Sequence, residues 1–86
     1  MNKTKVHFRK WSYPDYMESM KGETEIIALF PELLENDGLI ESYMHVGQHS
    51  GASPELITEL ETATCEEYNS LAIELESIGY VLEILK

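Results

Sequence analysis

The stretch from Thr64 to Leu85 constrains the fold most, because it reads as a helix that stops at a glycine and continues as a strand. Thr64, Cys65, Glu66 and Glu67 have the pattern of a capping box. In it the threonine hydroxyl accepts from the amide three residues on, and the glutamate carboxylate accepts from the threonine amide. Tyr68, Leu71, Ala72, Leu75 and Ile78 follow at helical spacing and form one apolar stripe, with Glu66, Asn69, Ser70, Glu74 and Ser77 elsewhere. Gly79 accommodates the left-handed backbone that ends a helix. Tyr80 to Leu85 is short and β-prone, and reads as a closing strand. A helix with one apolar stripe needs a sheet to cover.

The earlier chain supplies that sheet. Lys5 to Trp11 alternates, with Val6, Phe8 and Lys10 on one face and Lys5, His7, Arg9 and Trp11 on a wetter, charged one. Glu25 to Phe30 is apolar on both faces, Ile26, Ala28 and Phe30 one way and Ile27 and Leu29 the other, which is the pattern of a central strand covered on both sides. Pro31 is expected to end it, and Glu32 to Gly38 to form an acidic loop. Leu39 to Gly47 reads as a third strand and Gly47 to Ala52 as a small polar loop. Ser53 and Pro54 start a short second helix carrying Leu56, Ile57 and Leu60. Between the first two strands, Pro14 to Lys21 fits either a short helix or a long hairpin tip.

The expected architecture is therefore one α+β domain over residues 1–86, in the order β-β-β-α-α-β. It is a three-stranded antiparallel meander plus a C-terminal strand, with one face of the sheet covered by a short and a longer helix. A right-handed crossover places Tyr80 to Leu85 beside the first strand and parallel to it.

Charge excludes some functions. Six Lys and Arg stand against sixteen Asp and Glu, a net charge of -10, and no Lys or Arg occurs from Gly22 to Leu85, a span that holds all the acids except Asp15 and Glu18. Such a surface repels phosphate backbones and acidic lipid, so neither nucleic acid nor membrane is an expected partner. No apolar run reaches the ~20 residues of a membrane helix, and no signal core follows the basic start, so a cytoplasmic location is expected. The lone Cys65 forms no internal disulfide and reads as a small buried hydrophobe.

Chemistry-bearing residues gather in one place. His45, Gln48, His49, Ser50 and Ser53 cluster around the polar loop, which makes them the first candidate site. His45 and His49 are four apart, but across a glycine loop rather than along a helix, and no acid or oxyanion arrangement accompanies the Ser and His pair. No catalytic residue, metal or cofactor is assigned. Ile73 lies off the apolar stripe and is expected to be exposed. Together with Trp11, Ile27, Leu29 and Tyr43 on a second apolar sheet face, it forms a candidate interface for a homodimer.

Phe8-Arg9-Lys10, Ile27-Ala28-Leu29-Phe30-Pro31-Glu32, His45-Val46-Gly47-Gln48-His49, Glu66-Glu67-Tyr68 and Glu74-Leu75-Glu76-Ser77-Ile78-Gly79-Tyr80 resemble a set of short, uncharacterised proteins from bacterial and bacteriophage genomes. The resemblance leaves out Trp11 to Thr24. It implies a compact bacterial or phage domain and assigns no residue a role. The functional expectation is a non-catalytic interaction or accessory protein that self-associates, with an acidic nucleic-acid mimic that inhibits a basic protein as the alternative.

Overall fold

The computed structural model describes residues 3–12, 24–44 and 48–86. The helix or hairpin tip weighed for Pro14 to Lys21, and the placements of His45, Val46 and Gly47, lie outside the described residues.

The alternating and two-sided apolar runs form the centre of the sheet. Strand β1 (Thr4–Ser12) pairs antiparallel with β2 (Thr24–Leu34), bringing Phe8 opposite Ala28 and Arg9 opposite Ile27. Strand β3 (Ile40–Met44) continues the meander on the far side of β2, with Tyr43 also opposite Ala28. Ala28 thus separates two aromatic side chains on one face, where a larger residue would collide with both. Contrary to the expectation from Pro31, β2 runs through the proline. The β2–β3 register shifts between Phe30 and Leu34, and such an irregularity is where a residue without an N–H is tolerated in a sheet. Asp37 and Gly38, both at positive φ, then turn the chain.

The expected polar loop is instead a strand. Residues Gln48–Ala52 form β4, antiparallel to β3, with His49 opposite Tyr43 and Ser50 opposite Ser42. Its composition has little β propensity, so the sequence alone does not mark it. Pairing with β3 provides the missing preference. A Cβ at Gly51 would lie 2.9 Å from Leu39 Cδ1, so glycine leaves that side chain its place.

After β4 comes a single helical turn, α1 (Leu56–Glu59), preceded by a turn in which Ser53 Oγ accepts from the Glu55 amide. Two residues, β5 (Glu61–Thr62), pair with Arg9 and Lys10 of β1 before α2 (Cys65–Ser77) begins. The capping box is formed as the sequence predicts, with Thr64 Oγ1 accepting from the Glu67 amide and Glu67 Oε1 accepting from the Thr64 amide. Thr64→Ala removes one of these bonds and is expected to lower stability by about 1 kcal/mol, measured by urea unfolding. Gly79, at φ 112°, leads out of the helix. Strand β6 (Leu82–Leu85) then lies parallel to β1, aligned with Thr4 to His7. The sheet order is β4-β3-β2-β1, and the outer edge of β1 is shared end to end by β6 and β5.

The fold is α+β as expected, and the sheet is covered on both faces. Helix α2 lies over Val6, Phe8, Ala28, Phe30 and Tyr43 through Leu71, Ala72 and Leu75, with Tyr68 stacked on Phe8 at 4.5 Å and Tyr80 on Phe30 at 5.3 Å. The shorter helix goes to the other side. Leu56, Ile57 and Leu60 pack with Trp11 and Met44 against Ile27, Leu29, Ile40 and Ala52. The two-sided apolar pattern of β2 required a cover on each face, and four residues of helix are enough to complete the second.

Candidate functional site

Each candidate from the sequence has a different fate in the fold. Of the polar cluster, His45 lies outside the described residues, the backbones of Gln48, His49 and Ser50 belong to β4, and Ser53 shapes the entry to α1. Among the described residues, no group of three or more His, Cys, Asp or Glu is placed to hold a metal ion.

The candidate interface is divided rather than assembled. Ile27 and Leu29 are 5% and 0% exposed beneath α1, and Trp11 packs at their margin. Tyr43, expected on that face, lies on the opposite one, where it is buried and donates from its hydroxyl to Glu74 of α2. The reason is register: Tyr43 is opposite Ala28 and shares its face, whereas Ser42 is opposite Leu29. Ile73 is 57% exposed, as its helical angle predicts, and belongs with neither group. Ile78, placed in the apolar stripe by spacing, is also exposed, at the C-cap where the helix ends.

Two features were not foreseen. Arg9 was read as part of a charged, wet face, yet it is only 4% exposed. Its Nε donates to Ile57 O of α1 at 2.8 Å, one Nη to Phe8 O at 3.0 Å and the other to His7 Nδ1 at 3.3 Å. Burial lowers the Arg9 pKa from its ordinary value. Burial, and then the nearby guanidinium, also lower that of His7. An arginine within an alternating apolar strand, followed downstream by a short helix, was the available signal.

The second feature is a cavity of about 300 Å³ where β6 ends and β5 begins along β1. Phe8, Ala63, Tyr68, Ile84 and Leu85 supply apolar walls, and Thr62, Cys65 and Lys86 supply polar ones. Its size suits a small apolar group, at the lower limit of ligand pockets. Cys65, expected to be buried, is exposed here at the first turn of α2. A hydrogen bond with Cys65 raises the pKa of the Tyr68 hydroxyl, which stays protonated. Among the described residues, Lys86 is the one charged side chain in the lining of this cavity, beside the Cys65 thiol.

Two of the lysines among the described residues are paired with carboxylates. Lys10 Nζ lies 2.9 Å from Glu61 and 2.8 Å from Glu67, bonds that raise the lysine pKa and contribute to lowering that of Glu67. Lys5 is 3.6 Å from Glu32. Among the described residues no helix is long and apolar enough to cross a membrane.

No protein family, curated protein or solved structure matches the chain. The functional reading therefore rests on its own residues.

Proposed function

We propose that this chain is a non-catalytic interaction protein whose acidic surface engages a basic protein partner. The observation that supports it is the distribution of charge on the fold. Lys5 and Lys10 are paired with carboxylates and Arg9 is buried, so Lys3 and Lys86 are the remaining bases among the described residues. Glu55, Glu59, Glu66, Glu76 and Glu83 are all exposed. Complementary charge accelerates encounter with a basic surface and selects against acidic ones. This is the physical content of a nucleic-acid mimic, read as an electrostatic property alone.

A homodimer is the second reading. Ile73, Ile78, Val81 and Ile84 are exposed aliphatic residues on α2 and the segment after it, and they favour an apolar contact. Light scattering on a sizing column separates the two. The expected result is a mass near 9.9 kDa at every concentration. With it, a captured basic protein should be released when salt rises from about 0.05 M to about 0.3 M. A stable doubled mass, or capture that ignores salt, overturns the electrostatic reading.

A further inference from the structure

We infer that His7 and Arg9 form a proton-sensitive latch that holds α1 on the sheet. Arginine has five N–H donors and no acceptor, so the 3.3 Å contact from Arg9 requires a lone pair on His7 Nδ1. The ring is neutral and carries its hydrogen on Nε2. Protonation would place a hydrogen on Nδ1, N–H facing N–H, with two positive charges side by side. The guanidinium that loses this contact is the one whose Nε holds Ile57 O.

The surrounding charges leave Arg9 dominant. On β1, Lys5 and Arg9 flank His7 at positions of the same face. Opposite it on β2 is the apolar Leu29, and Glu32 of β2 is engaged with Lys5. On β6, Leu85 lies alongside, with Glu83 next to Lys5, and the Lys86 backbone makes a hydrogen bond that partly offsets the lowering. Glu55, which caps α1, and Glu59 within it bracket Ile57 and are exposed. Burial, then Arg9, lowers the His7 pKa from 6.5. A ring with a depressed folded-state pKa binds its proton more readily once the latch is open. The stabilisation is therefore present above pH 6.5 and is lost as pH falls below it.

The consequence is specific to one face. A four-residue helix has no independent stability, so loosening Arg9 makes α1 open more often over Ile27, Leu29, Ile40 and Ala52, while α2 and its core remain. The test is hydrogen exchange by mass spectrometry at about pH 7.5 and about pH 5.5, corrected for intrinsic rates and read separately for α1 and α2. Protection of α1 relative to α2 is expected to fall about three- to tenfold at the lower pH, the range set by losing one hydrogen bond. In His7→Asn, whose Oδ1 replaces Nδ1 as acceptor and does not titrate, the ratio should not move. An equal pH response in His7→Asn, or an equal loss in α1 and α2, overturns the latch. If that variant does not fold, the ¹⁵N shifts of the native ring decide: a bare Nδ1 at the higher pH supports the proposal, and a protonated one overturns it.

Discussion

Phe8→Ala should lower stability by about 3 to 5 kcal/mol, the range for emptying an aromatic site in a packed core. Phe8 is 1% exposed and stands where three parts of the fold meet. It is opposite Ala28 on β2, stacked on Tyr68 of α2 with rings 10° from parallel, and at the floor of the gap between β5 and β6. Truncation removes the ring that Tyr68 rests on and extends the existing cavity, so the neighbours have little means to collapse around the loss. Small domains have total stabilities of about 5 to 15 kcal/mol. A loss of this size should leave a sizeable unfolded population at physiological temperature. Urea unfolding followed by circular dichroism measures it, and a change below about 1 kcal/mol would contradict the packing of α2 on β1. A cycle with Tyr68→Leu isolates the stacked pair, for which a coupling of about 0.5 to 1.5 kcal/mol is expected.

How much of this was legible in the sequence follows from how local each signal is. The capping box at Thr64 and the glycine at position 79 act within a few residues, and both ends of α2 are where they predict. Period-two alternation identifies β1, and a short run apolar on both faces the centre of β2, for the same reason. What escaped is set by partners distant in the chain. Gln48 to Ala52 is a strand because β3 is beside it, and Glu61 and Thr62 because Arg9 and Lys10 are.

The site was less legible than the fold. Alternation separates the two faces of β1 but does not say which face stays wet. Arg9 looks like a surface residue until α1, nearly fifty positions later, meets it. The interface expected from Ile27, Leu29 and Tyr43 failed for a related reason. A second apolar face on a central strand requires a cover, and the chain provides its own. Cys65 was misread in the opposite sense, since N1 of a helix can point away from the core even when the helix itself is buried along its stripe.

Arg9→Ala should cost about 2 to 4 kcal/mol, lowering Tm by about 10 to 20 °C, although the residue removed is a charge in a protein of net charge -10. Charge balance is not what the arginine supplies, since its bonds run to two carbonyl oxygens and a neutral ring. The planar fork joins β1 to α1, and its aliphatic stem fills space beside Ile27. Alanine removes both contributions and leaves Ile57 O without this donor under the helix. Arg9→Met separates them, because it keeps the stem's volume and supplies no donor. Methionine is expected to recover about half of the loss, the share due to packing. Full recovery by methionine would mean that the hydrogen bonds add nothing, and the latch with His7 would then have no purchase on α1. Recovery of none would mean that the fork alone holds the helix. The Arg9→Met protein should also lose the pH response of α1 that depends on His7, because the group that transmits it is gone.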